Sequence, residues 1–273
     1  DSSIQKLTKP DWLIHGDKFR TLNPSANPSA AKGDTDRLVL SNGLIQRTFK
    51  LSTLATVGLD NLMTGESLLR AVEPEAVLEI NGETVTVGGL NGQPDHAYLR
   101  PEWIDKMTPL GPFRSSALSL SQTKSRFSWK RQPGSNGAWP PKGSELTFAL
   151  DCEKWPGLTV EIHYEIYDGA PLMSKWLVLK NDGKTSLHLS KFVSEQLAVV
   201  ERESIVDNSA RWELPNITVI SDYTFGGMSV TNSTHTTYWE EDPNYPTQVN
   251  YERKTPCLLK SKPPIGPDID IAP

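Results

Sequence analysis

Between Gly157 and Val200 the chain reads GLTVEIHYEIYDGAPLMSKWLVLKNDGKTSLHLSKFVSEQLAVV, three extended runs joined by two turn signals and carrying no helical period. Leu158, Val160, Ile162, Tyr164 and Ile166 alternate with Thr159, Glu161, His163 and Glu165. That is the period-two signature of a strand with one dry and one wet face. Asp168-Gly169-Ala170-Pro171 and Asn181-Asp182-Gly183 have turn chemistry. In the run between them, Met173, Leu177 and Leu179 point one way and Leu172, Trp176 and Val178 the other. A strand apolar on both sides needs cover on both sides, so a large layered β-structure follows.

The rest of the 273-residue sequence agrees. Twenty-one Pro and 19 Gly imply many turns and argue against long helices. The apolar fraction of 37% can build a core, while a mean hydropathy of -0.43 implies a wet surface. A net charge of -5 provides no basic field for nucleic acid. No run reaches the roughly 18 apolar residues that span a bilayer as a helix. Cys152 and Cys257 are consistent either with two buried thiols or with one disulfide.

Residues 1–36 read as a flexible N-terminal arm containing the small-residue stretch Asn23–Ala31, and residues 37–273 as one all-β domain. Strands are expected over Arg37–Leu40, Leu44–Lys50, Thr53–Asn61, Ala76–Ile80, Thr84–Val87, Ser115–Ser121, Arg126–Lys130 and Ser144–Asp151. After the triple run come Asn216–Ile220, Gly227–Thr231, Thr247–Tyr251 and Cys257–Lys260. Asn42-Gly43 and Asn81-Gly82 are hairpin turns. Asn91–Gly111 is a long irregular insertion. The end at Ile269-Asp270-Ile271-Ala272-Pro273 has no charged tail or cap, and the expectation is a further domain beyond it. Asn216-Ile217-Thr218 and Asn232-Ser233-Thr234 fit the glycosylation sequon, a motif short enough to occur by chance.

LVLSNGLIQRTF (38–49), LMTGESLLR (62–70) and YEIYDGAPLMSKWLVLKNDG (164–183) resemble the N-terminal domain of bacterial α-galactosidase-like glycoside hydrolases of the family 36 type. The resemblance runs from about residue 37 to 273. It implies a two-sheet, mostly antiparallel β-supersandwich of the galactose-mutarotase-like kind. It also implies a partner, a catalytic (β/α) barrel of the same polypeptide, and a periplasmic or extracellular location. In the family both catalytic Asp residues sit on barrel strands, one in a Lys-Trp-Asp-like strand end. This sequence has neither, so the resemblance transfers no catalytic residue, and the expected role is that of an accessory domain.

Two loops have the mixture that sugar sites need, aromatic faces beside planar polar groups. In the insertion these are Asp95, His96, Arg100, Glu102 and Trp103, with Tyr98 beside them. The second stretch, Thr234–Tyr245, contains His235, Trp239, Glu240, Glu241 and Asp242. The competing reading of the first is that Trp103 and Tyr98 plug a sheet edge while Arg100 pairs with Glu102. That of the second is a solvated acidic loop anchored by Trp239. Glu195 shares a face with Leu187, Leu189, Val193, Leu197 and Val199. A carboxylate there is costly unless it has a partner such as an Arg, or unless a bulge turns it to solvent. His163 reads as a surface residue. No cofactor is expected: no His or Cys spacing suits zinc, the acidic stretch lacks a calcium loop's spaced ligands, and no Gly-rich phosphate loop occurs.

The leading expectation is a non-catalytic domain that packs on a barrel and shapes its sugar cleft, binding carbohydrate weakly and compatible with a homo-oligomer. It has no nucleic-acid or membrane partner. One alternative is an aldose mutarotase-like enzyme, for which Glu195 and His96 are the only carboxylate and imidazole to pair. Another is a free-standing carbohydrate-binding module, favoured if Trp103 and Trp239 share one exposed surface. The apolar interface is expected near Tyr98, Trp103, Ile104, Met107, Leu110 and Phe113.

Overall fold

The computed structural model describes residues 36–128, 130, 138–201, 216–223, 236–245 and 255–273. Among the described residues, 2% are helical and 52% are in strands, and the paired strands run antiparallel. The first sheet runs β1 (Arg37–Ser41), β2 (Ile45–Lys50), β3 (Ala55–Asn61) and β4 (Glu66–Ser67). The second contains β5 (Leu69–Ala71), with β15 (Glu195–Val199), β16 (Thr237–Glu240) and β17 (Leu258–Ser261), in the order β16-β17-β15-β5. The third contains β6 (Ala76–Ile80), β7 (Glu83–Val87), β14 (Leu187–Val193) and β18 (Pro267–Ile271), ordered β18-β14-β6-β7. The fourth is the meander β10 (Phe113–Gln122), β11 (Gly143–Cys152), β12 (Leu158–Tyr167) and β13 (Met173–Asn181). A short pair, β8 (Leu90–Asn91) and β9 (Thr108–Pro109), brackets the insertion, whose helix α1 covers Pro101–Ile104.

The all-β, antiparallel class matches the expectation. The division into four blade-like, four-stranded sheets is not specifically that of two large facing sheets. The reason lies in two breaks. Leu68 separates β4 from β5 and Ser194 separates β14 from β15, and at each the chain passes from one sheet to another. The third run of the opening pattern is therefore two strands in different sheets. Strands can turn such corners at bends and bulges without losing their alternation.

Several boundaries differ from expectation. Arg126–Ser128 and Asn216–Ile220 form no strand. Ile217 and Val219 still pack on an apolar cluster, without a ladder partner among the described residues. Thr237–Glu240 of the acidic stretch form strand β16, and Pro267–Ile271 pairs with β14 from Leu187↔Ile271 to Lys191↔Pro267. Gly227–Thr231, Thr247–Tyr251, His235, the second sequon and the arm up to residue 35 lie outside the described residues. At Asn81-Gly82 both residues have positive φ, 52° and 78°, as the tight β6–β7 turn requires.

The main core joins three sheets. Leu38, Leu40 and Phe49 of the first meet Leu78 and Ile80 of the third and Phe148, Ile162 and Tyr164 of the fourth. Phe49 lies 5.2 Å from Phe148 and 4.8 Å from Tyr164, ring centre to ring centre. A smaller cluster of Leu59, Leu69, Leu197, Val199 and Leu259 joins the first and second sheets.

Where the sheets converge there is a buried ionic network. Arg47 of β2 donates to Glu195 of β15 through Nη1 at 2.5 Å and Nη2 at 3.2 Å, to Glu75 through Nη2 at 3.0 Å, and to Thr56 Oγ1 through Nε at 2.8 Å. Lys175 of β13 donates to Glu195 Oε1 at 2.9 Å and to the Glu75 carbonyl at 2.6 Å. The Tyr164 hydroxyl of β12 donates to Glu75, and the Thr56 amide donates to Glu75 Oε1 at 2.5 Å. Two carboxylates face two cations, so the network is neutral. Glu195 has the kind of partner its position on a dry face demands. Burial alone would raise the Glu75 pKa, but the charges of Lys175 and Arg47 and the hydrogen bonds of Tyr164 and Thr56 hold it at about 2. Glu195 is also lowered, because Arg47 and Lys175 outweigh its burial.

A folded-state pKa of about 2 against an ordinary 4.5 gives a stability contribution that is full above 4.5. It is lost as the pH falls from 4.5 towards 2, because the unfolded chain then binds more protons. The melting temperature, followed by circular dichroism, is expected to drop steeply across that window. In Glu75→Gln the limb should be shallower; an equally steep limb in the variant would remove Glu75 from the account.

Candidate functional site

The two loops that stand out in the sequence meet at one place, and Arg70 is the reason. Its side chain is fully buried, and its guanidinium serves four segments. Nη2 donates to Asp242 Oδ2 at 2.6 Å, Nη1 to the His96 carbonyl at 2.8 Å, and Nε to the Val199 carbonyl at 3.1 Å. Nη2 also lies 3.3 Å from Cys257 Sγ. The group sits 4.2 Å from the centre of the Tyr245 ring. A planar, permanently charged fork is suited to holding several acceptors in fixed directions.

Gln93 fastens the insertion to the same strand. Its Nε2 donates to the carbonyls of Arg70 at 3.1 Å and Asp95 at 2.7 Å, and its Oε1 accepts the Val72 amide at 3.1 Å. Asp95 Oδ1 accepts the Ala97 amide at 2.8 Å, a local turn that presents His96. Leu99 and Trp103 then pack on Ala55, Val57, Val72, Leu90, Ile104 and Met107.

These contacts place Glu73, His96 and Asp242 together, with one ligand-type atom of each inside 4.8 Å of the others. Glu73 lies between β5 and β6, and Gln196 Nε2 donates to its Oε2. Burial pushes the Glu73 carboxyl up to about 7, and the neighbouring Asp242 charge adds to that against Gln196 and Arg70. Burial lowers the His96 pKa, and its Nδ1 is shielded from solvent without a hydrogen-bond partner among the described residues. Nearby, Glu201 accepts from the Tyr245 hydroxyl at 2.9 Å through Oε1, while its Oε2 is buried and has no hydrogen-bond partner among the described residues. Burial pushes the Cys257 thiol up to about 11, so it stays protonated at neutral pH. Cys152 and Cys257 are both free and buried.

Of the residues singled out from sequence, His96 is in this cluster and Asp95 supports it. Arg100 and Glu102 form an exposed ion pair with each other. Trp103 is half-buried, its ring 5.2 Å from that of Tyr98, which is 50% exposed. Trp239 is half-buried against the Leu59–Leu259 cluster, and Glu240 pairs with Lys260 at 2.9 Å and with Lys262. Glu195 belongs to the ionic network. The apolar interface expected on the insertion is not formed there. Ile104, Met107 and Phe113 are interior, because the insertion folds back onto the first sheet. Leu118 and Leu120 are the exposed leucines of edge strand β10. His163, read as a surface residue, is half-buried: it bonds Glu145 at 2.9 Å and stacks on Trp176 at 4.7 Å. Arg70 and Glu73 escaped the sequence reading. Their one signal is a charge on either side of the apolar pair Ala71-Val72.

The two arginines of this region differ in burial, and that decides their weight. Arg70→Met strands Asp242 without a counter-ion and should cost about 3–5 kcal/mol. Arg100→Met, at an exposed pair, should cost within about 0.5 kcal/mol. Urea denaturation of both variants checks the contrast; equal effects would contradict the assignment of Arg70 as the anchor.

No family model, no curated protein and no solved structure matches this chain.

Proposed function

We propose that the chain is a non-catalytic domain of a carbohydrate-active enzyme of α-galactosidase-like type, a β-supersandwich that sits on a catalytic (β/α) barrel and shapes its sugar cleft. The observation that carries the reading is the convergence of the 93–103 insertion and the 236–245 segment. They bring His96 and Asp242 beside Glu73 of the β5–β6 strap, and the same insertion bears the half-exposed Tyr98 ring. That mixture suits a pyranose, whose C–H face takes an aromatic ring and whose hydroxyls take planar polar groups. The strand motifs around Tyr164–Gly183 support the same family of domains.

The state of the carboxylates favours an accessory role. Glu75 and Glu195 are neutralised by Arg47 and Lys175, Asp242 by Arg70, and Glu240 by Lys260 and Lys262; Glu73 is the exception, its carboxyl raised to about 7, but the carboxylate beside it, Asp242, is the one held by Arg70. Glycoside hydrolysis by the usual route needs two carboxyl groups facing each other across the bond, one of them free to act as acid. Mutarotase chemistry fares less well: Glu195, its carboxylate, is held by two cations. The free-standing module fares less well too, since Trp103 and Trp239 are half-buried in separate apolar clusters. Strand β10 supports a partner domain. It is a ten-residue edge strand with exposed residues from Arg114 to Leu120, Leu118 and Leu120 each 46% accessible. A long edge with exposed leucines calls for cover.

Titration calorimetry with galactose and raffinose, alongside an aryl α-galactoside assay, tests the reading. Half a cleft leaves most of a sugar in water, so Kd should be about millimolar or weaker, roughly -4 kcal/mol or less favourable. Tyr98→Ala should remove the binding without lowering the melting temperature, and no glycoside should be turned over. Micromolar binding of a monosaccharide, or turnover lost on replacing one carboxylate, would overturn the proposal.

A further inference from the structure

We infer that Glu73, His96 and Asp242 form a binding site for a divalent transition-metal ion of the zinc class. The three side chains come from separate segments: the strap between β5 and β6, the insertion, and the residues after β16. One imidazole with two carboxylates is a donor set that zinc and its neighbours accept, whereas calcium and magnesium prefer oxygen alone. Three protein ligands leave a further position for water.

Two further observations point to a cation. The first is unmet polar valence: His96 Nδ1 and Glu201 Oε2 are both buried and without hydrogen bonds among the described residues. The second is charge. Glu73, Asp242 and Glu201 gather around the guanidinium of Arg70, and Lys260, which also acts on Glu73, is paired with Glu240 at 2.9 Å. Among the described residues, carboxyl groups at this place therefore outnumber cationic groups.

The carboxylates are also held the way metal ligands are held. Gln196 donates to Glu73 Oε2; Arg70 donates to Asp242 Oδ2 at 2.6 Å and the Asn244 amide to Asp242 Oδ1 at 2.8 Å. Such outer partners fix the direction of a ligand and leave each oxygen a lone pair for the metal. Bonds of about 2.0–2.2 Å place tetrahedral ligand atoms roughly 3.4 Å apart. The three ligand atoms lie within 4.8 Å of one another, so any contraction needed is within reach of side-chain rotation of the half-buried Glu73 and His96. The bound ion would clamp the insertion to the 236–245 segment. This inference concerns the metal alone and stands whether or not a sugar binds above it.

The whole chain, stripped with EDTA and dialysed, is titrated with ZnCl2 by calorimetry, with CaCl2 and MgCl2 in parallel. One zinc per chain should bind with Kd in the micromolar range or tighter and raise the melting temperature, while calcium and magnesium bind at least tenfold more weakly. Glu73→Gln and His96→Ala should each weaken zinc by at least tenfold and keep the wild-type circular dichroism spectrum. His188 lies 2.8 Å from Asp270 and 2.9 Å from Asp268 on the exposed surface and could collect zinc adventitiously. His188→Ala should leave the affinity unchanged. Absence of saturable zinc binding below 100 µM, or binding lost in His188→Ala and kept in Glu73→Gln and His96→Ala, would overturn the assignment. If both site variants fail to fold, cobalt bound to the wild-type chain decides by its visible spectrum. Tetrahedral or five-coordinate bands support the site, and a purely aquo-octahedral spectrum overturns it.

Discussion

Everything in this fold turns on the ion network of Arg47, Glu75, Lys175 and Glu195. Each member comes from, or leads into, a different four-stranded sheet, and all are shielded from solvent. Apolar packing is non-directional and tolerates small slides between sheets. A bidentate Arg–carboxylate pair does not, because its hydrogen bonds fail within a fraction of an ångström. The network thus sets the relative positions of sheets that the hydrophobic core only holds together. Replacing it by apolar residues of like volume need not destabilise the chain, whereas removing a single member leaves a buried charge alone.

The candidate site is built on the reverse of the same two segments. Glu75 turns into the network while Glu73, two residues before it, bonds Gln196. Glu73 and Glu75 lie outside any strand, in the strap between β5 and β6; on β15 it is adjacent residues that divide, Glu195 facing Arg47 and Gln196 facing Glu73. A strand places neighbours on opposite faces, so the hub and the site share a wall. Arg70 does on the site's side what Arg47 does in the hub, except that it binds loops to the sheet rather than sheet to sheet.

How much of this the sequence discloses depends on range. The strands of the fourth sheet were legible because their alternation is local, and Asn81-Gly82 because turn chemistry is local. The corner at Ser194 was not, since nothing in LHLSKFVSEQLAVV separates a long strand from two. The hub was legible in principle. Arg47 lies on the face of Ile45 and Phe49, and Lys175 on that of Met173 and Leu177. Each is a charge on a dry face, the same anomaly that singled out Glu195. Three such anomalies in one chain imply that they pair. The site was half-legible: His96 and Asp242 lay in stretches rich in carboxylates and aromatics, but their meeting is a fact of topology. Glu73 was hidden because it follows the apolar Ala71-Val72 and reads as the end of a strand.

A double-mutant cycle on Arg47 and Glu195 tests the central claim most directly, with Arg47→Met, Glu195→Leu and the double variant compared by urea denaturation at neutral pH. If the network is one coupled unit, each single change costs about 3–5 kcal/mol and the double change far less than the sum. The coupling should then be at least about 1.5 kcal/mol. Additivity within about 0.5 kcal/mol would mean that the two charges act separately, and that the sheets are positioned by something other than the network.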